Sequence, residues 1–222
     1  WPADRMQADA PALRLVGALH HLVLTGQAPV LARLYADPDS VDDAQLWRAI
    51  DAALRLQEGP ILDTLTLPPQ TNEVRRSAII IAAAHWLSDA FNLPLVLSEI
   101  GSSAGLNLLW DHYALQAGRV RLGPDEPALT LSPEWHGDAP VQAAPVIRAR
   151  AGADLNPLDP KRDRLRILCY VWADQAARLA RMRAVLDLAA AKPLAVAQGD
   201  AAAWLEARLR TPPPAALHLV FH

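Results

Sequence analysis

The chain has 222 residues, 52% hydrophobic and 20% charged, a composition that fits a well-buried globular protein and excludes disorder. Its formal net charge of −3 removes the electrostatic case for a nucleic-acid partner, which normally needs a basic face. No apolar run approaches the ~20 residues that span a bilayer and no signal-peptide pattern is visible. A cytoplasmic protein without membrane contact is therefore expected.

Up to residue 92 the sequence reads as helices only. Leu13, Val16, Leu19, Leu22 and Val23 recur at helical spacing, and a second pattern runs through Leu46, Ile50, Ala53, Leu54 and Gln57. Gly59-Pro60 and Pro68-Pro69 punctuate them. A third helix is predicted from Thr71, an N-cap with Glu73 in the first turn, to about residue 90. The almost wholly apolar body of that helix, 78–86, implies burial on most sides. Residues 1–92 are read as an all-helical N-terminal cap.

The pattern then changes. Leu95-Val96-Leu97-Ser98-Glu99-Ile100, ended by Gly101, reads as a buried parallel strand. A helix is predicted over 104–116, and the Gly- and Pro-rich stretch 119–137, with a β-like piece at 128–131, reads as an inserted hairpin or loop. A second strand is predicted at 146–151, and a helical stretch at 160–191 with a break near Trp172. A third strand at 194–197, a helix at 201–209 and a fourth strand at 216–221 follow. Strands alternating with helices imply an α/β fold, a Rossmann-like parallel sheet over 93–222. The apolar edge Leu217-His218-Leu219-Val220-Phe221 falls at the end of the chain, so further strands beyond His222 are expected, with pairing across a homodimer as the alternative.

The chemistry concentrates in Glu99-Ile100-Gly101-Ser102-Ser103-Ala104-Gly105-Leu106-Asn107. Gly101 permits a sharp turn off the strand, small residues at 102–105 let a ligand approach the backbone, and a following helix would aim its unpaired N–H groups at the same place. The acid Glu99 disfavours a pyrophosphate and suits a ligand with an ammonium or hydroxyl groups. That contrast points to S-adenosylmethionine rather than NAD.

This turn resembles the first motif of class I methyltransferases, acid-x-Gly-x-Gly-x-Gly, with Glu99, Gly101 and Gly105 in register and Ser103 at the middle glycine. More closely, the chain resembles the DUF2332 family of uncharacterised bacterial proteins. The matching stretches are Gln70-Thr71-Asn72-Glu73-Val74 with Arg76-Ser77, then Glu99 to Leu108, Asp154-Leu155-Asn156-Pro157-Leu158-Asp159, and Tyr170-Val171-Trp172 with Asp174-Gln175. That resemblance implies a family and no activity.

A methyltransferase also needs an acid after the second strand for the ribose hydroxyls. Asp154 is so placed, and equally suits a turn aspartate bonding its own backbone. Gln198-Gly199-Asp200-Ala201 resembles the methyltransferase adenine-contacting pattern, while Asp200 is also a sufficient N-cap. Arg76 is a candidate for the methionine carboxylate of the cofactor, or for a surface ion pair. Ser102, Ser103 and Asn107 can bond the cofactor, the acceptor or the backbone. His222, at the strand ends, is the candidate catalytic base, and the methyl acceptor would be a small molecule or a protein.

No metal site is expected: His218 and His222 lie ~13 Å apart on a strand, and His20 and His21 diverge on a helix. His85 and the lone Cys169 read as core residues. Two other function classes stay open. Gly101-Ser102-Ser103-Ala104-Gly105 is literally Gly-x-Ser-x-Gly after a strand, so Ser103 is a candidate hydrolase nucleophile, with Asp200 as acid and a histidine later in the chain. A non-catalytic nucleotide-binding module is the third.

Overall fold

The computed structural model describes residues 1–211 and 213–222. The helices are α1 (Met6–Asp9), α2 (Pro11–Leu24), α3 (Pro29–Ala36), α4 (Asp43–Leu56), α5 (Glu58–Thr66), α6 (Ser77–Phe91), α7 (Arg164–Leu168), α8 (Ala176–Ala191) and α9 (Ala201–Leu209). The strands are β1 (Leu95–Ile100), β2 (Tyr113–Ala117), β3 (Val120–Leu122), β4 (Leu129–Leu131), β5 (Ile147–Asp154), β6 (Val196–Gln198) and β7 (Leu217–Phe221). The chain divides into two compact units, one of 1–71 with 163–183, the other of 72–162 with 184–222.

The first unit is helical. Ala18, Leu19 and Leu22 on α2 pack with Leu31, Ala49, Ala53 and Ile61 from the three helices that follow, which is the pattern expected of amphipathic helices. Proline at the first positions of α2 and α3 supplies a preset φ where no N–H is needed, and Asp42 caps α4 by accepting from the Gln45 N–H at 2.7 Å. Arg14 is buried and donates to the carbonyls of Asp9, Leu65 and Leu67, so it holds the ends of this unit's chain together. Gly17 lies against the Tyr170 ring so closely that a Cβ would overlap it. The Cys169 thiol donates to the Arg166 carbonyl, and burial pushes it up to about 12, so it stays protonated and inert.

The second unit is a mixed α/β body built on a four-stranded, all-parallel sheet in the order β6-β5-β1-β7. Numbered by occurrence in this sheet, that order is 3-2-1-4. The central strand β1 is buried along its length, as a run apolar on both faces requires. Helix α9 packs on β1 and β5. A second sheet, β3-β2-β4, pairs β2 antiparallel to β3 and parallel to β4.

Several predicted boundaries change. The helix expected over 104–116 is instead a 3₁₀ helix over Leu106–His112 running straight into β2. Four of the five β2 residues are buried, and apolar periodicity does not separate such a strand from a buried helix. The turn at Gly118, with φ +59°, then completes the hairpin with β3. The helix expected from Thr71 begins at Ser77, behind a 3₁₀ turn at Val74–Arg76 that Glu73, not Thr71, caps by accepting from the Arg75 N–H at 3.0 Å. Nor is the apolar body of α6 buried all round: Ile79 is 74% and Trp86 56% exposed. The short helices α3 and α5 had no pattern strong enough to announce them. The break near Trp172 is present between α7 and α8. His85 is buried and its Nδ1 accepts from the Ala143 N–H at 3.1 Å, a satisfied core histidine.

Candidate cofactor site

Parallel strands place their C-terminal ends on one edge of the sheet, and this edge carries the acids singled out above. Glu99 sits in β1 opposite Gly152 of β5 and Phe221 of β7, and Asp154 ends β5 opposite Gln198 of β6. Asp200 follows β6 by two residues, and the exposed His222 follows β7.

The turn after β1 is tightly sewn. Gly101, Ser103 and Gly105 have φ of +62°, +51° and +69°, so the chain reverses through the left-handed region three times in five residues. The Ser102 N–H and hydroxyl both donate to the Ala153 carbonyl, at 3.1 and 3.2 Å. The Ser103 N–H donates to Asp154 Oδ2 at 2.8 Å, the Ala104 N–H to Asn72 Oδ1 at 3.2 Å, and the Gly105 N–H to the Ser102 carbonyl at 2.7 Å. All four N–H groups from 102 to 105 are thus engaged. The expected set of free N–H donors at the start of an α-helix is not formed: the helix is 3₁₀ and only seven residues long. Such a turn offers little to a pyrophosphate, whose recognition rests on free backbone donors.

Glu99 is the unusual group. It is only 3% exposed. Its Oε1 accepts from Asn107 Nδ2 at 3.3 Å, and Asn107 Oδ1 accepts from the Ser77 hydroxyl at 2.8 Å. Its Oε2 is buried with no partner among the described residues. Burial raises its pKa to about 7, opposed by the Asn107 bond, the charge of Arg76 and the backbone N–H of Leu108, and reinforced by the charge of Asp154. A buried carboxyl left half-satisfied is expensive in a purely structural role, where native proteins pair such groups.

The other predicted residues divide. Ser102, Ser103, Gly105 and Asp154 are hydrogen-bonded around the turn and Asn107 bonds Glu99 and Ser77, whereas Arg76 is exposed and reaches Glu99 only through its charge. Asp154 also accepts from the Asn156 N–H at 2.7 Å, the Asx turn that its sequence context suggested. Asp200 caps α9, accepting from the Ala203 N–H at 2.9 Å, and Ala201 is the first residue of that helix.

Two members of the network, Asn72 and Ser77, are absent from the predicted set. Asn72 Nδ2 donates to Ser103 Oγ at 3.1 Å while its Oδ1 holds Ala104, so one amide clamps the turn. Asn72 lies in the segment before α6 and Ser77 is the first residue of that helix, on either side of the Arg76 that the sequence singles out. A second cluster lies in the sheet: the fully buried Ser98 Oγ is 2.7 Å from His218 Nε2 and accepts from Arg208 Nε at 2.8 Å. The arginine leaves the serine proton for the imidazole, whose pKa is lowered by burial and by the Arg208 charge.

The family model described as "Uncharacterized protein conserved in bacteria (DUF2332)" matches residues 1–222. No curated protein and no solved structure matches the chain.

Proposed function

The chain belongs to the DUF2332 family, and from the geometry of its candidate site we propose that it is an S-adenosylmethionine-dependent methyltransferase whose acceptor is a small molecule or a protein. The observation that carries the reading is the unpartnered, buried Glu99 carboxylate oxygen beside a glycine turn whose own N–H groups are spent. That combination favours a ligand presenting an ammonium over one presenting phosphates. The strand order supports it: 3-2-1-4 is the arrangement of doubly wound nucleotide-binding sheets, which take their ligands outside the C-terminal strand ends.

The residues present fit the cofactor. Glu99 would receive its ammonium, and Asp154, beyond the two backbone bonds it already accepts, retains lone pairs for ribose hydroxyls. Asp200 with Ala201 would meet the adenine, Arg76 the methionine carboxylate, and Ser102 and Ser103 line the approach. A Cβ at Gly105 would come within 3.1 Å of the Leu194 and Val196 side chains, which would have to give way, and φ of +69° strains any residue but glycine there. The cofactor supplies a methyl group on a sulfonium, and the protein's part is to exclude water and align the acceptor for in-line displacement. His222 is the base available at the strand ends.

Calorimetric titration of S-adenosylmethionine and S-adenosylhomocysteine, with NAD as control, tests this. Micromolar binding of the first two, lost in Asp154→Ala or Asp200→Ala, supports it. No binding by a folded sample removes it.

One observation favours a second reading. Ser103 occupies the left-handed region at φ +51° in a Gly-x-Ser-x-Gly turn after a strand, as a hydrolase nucleophile would. Its hydroxyl, however, is held by Asn72, and among the described residues no histidine bonds it. Ser103→Ala separates the two: it would abolish ester hydrolysis in a hydrolase and spare cofactor binding in a methyltransferase.

A further inference from the structure

The stretch Val171-Trp172 with Asp174 plays no part in the sheet unit's cradle, yet it walls a cavity. Within the helical unit a cavity of about 320 Å³ is lined by side chains from α2, α3 and α4 and by Val171, Trp172 and Asp174 from the segment between α7 and α8. That volume sits at the lower end of small-molecule sites. Its walls are mainly apolar, with Leu34, Leu46 and Val171 among them.

Three rings and two charges give the cavity a chemical preference. Tyr35 and Trp172 present aromatic surface, and His20 meets Tyr35 edge-on, with centroids 6.3 Å apart. Burial and the charge of Arg183 lower the pKa of His20, so the imidazole stays neutral, and its Nδ1 lies 3.3 Å from the Cys169 carbonyl it serves. The only charged side chains in the lining are Asp43 and Asp174, both themselves exposed and so at the opening. No lysine or arginine lines it among the described residues. Aromatic faces attract cations, and two carboxylates at the mouth attract them further while repelling anions.

We propose that this cavity is a binding site for a small organic cation with an aromatic or alkyl body, the body seated among the rings and the cation facing Asp43 and Asp174. It stands independently of the methyltransferase reading, since every lining residue belongs to the helical unit.

The test is calorimetric titration of the full chain with 4-phenylbutylamine, 4-phenyl-1-butanol and 4-phenylbutyrate, probes of one shape and three charges. The amine is expected to bind about tenfold tighter than the alcohol, and the carboxylate weakest. In the double variant D43N/D174N the amine should fall to the level of the alcohol, with the alcohol unchanged. Trp172→Ala should weaken both. Both aspartates are exposed, so an unchanged melting temperature separates loss of binding from loss of fold. Equal affinity for amine and alcohol overturns the proposal, as does an amine affinity indifferent to D43N/D174N, or no binding of any probe up to about 10 mM, the range expected of ligands this size.

Discussion

Glu99 sets the chemistry at the scale of single residues. Its pKa lies above the ordinary 4.5, at about 7, mainly because burial penalises the charge. A folded-state pKa raised in this way means the native protein binds more protons than the unfolded chain between about 4.5 and 7. Stability from this group is therefore complete below 4.5, declines as pH rises through that window, and is flat above it. The shift corresponds to on the order of 3 kcal/mol. Glu99→Gln should remove that slope and leave the protein more stable than wild type at pH 8, as read by urea denaturation at pH 5 and 8. An unchanged slope would show that Glu99 is not the group titrating. Asn72 gives a second prediction at this scale. Asn72→Ala strips the partner from the buried Ala104 N–H and frees Ser103 Oγ, which should lower stability by about 1–3 kcal/mol in the same assay.

Between elements, the turn depends on how closely β5 approaches it. A Cβ at Gly152 would collide with the Ser102 side chain, whereas a Cβ at Gly101 would meet nothing within 4 Å. Gly101→Ala should therefore lose only the backbone term for φ +62°, roughly 1–2 kcal/mol. Gly152→Ala should lose about 1–3 kcal/mol by overpacking and also displace the turn. Cofactor binding should consequently fall in Gly152→Ala even where the protein remains folded. The same scale shows what the sequence made legible. β1 and α9 occur at the predicted 95–100 and 201–209, because a short apolar run closed by glycine and an Asp-capped segment are local signals. The strand at 113–117 carries no such signal, because burial on both faces hides its period of two. The clamp from Asn72 to Ser103 joins residues 31 apart, and no local pattern encodes which distant loop an amide will hold.

In the whole molecule, the two proposed sites fall in separate compact units. The cradle residues all fall in the sheet unit and the cavity residues all in the helical unit. Variants of Asp174 should leave S-adenosylmethionine titrations unchanged, and variants of Glu99 should leave amine binding unchanged. Among the described residues no single helix is long and apolar enough to cross a membrane.

In the proposed cofactor site, a half-satisfied carboxyl beside an N–H-depleted turn selects a cationic ligand. Titrating S-adenosylmethionine and NAD into wild type and Glu99→Gln at pH 6 and 7.5 tests it most directly. The expected result is micromolar binding of S-adenosylmethionine that strengthens from pH 6 to 7.5 as Glu99 ionises, weakens about tenfold or more in Glu99→Gln and loses its pH dependence there, with no binding of NAD. Binding of NAD at the turn, or S-adenosylmethionine affinity indifferent to both pH and Glu99→Gln, would contradict it.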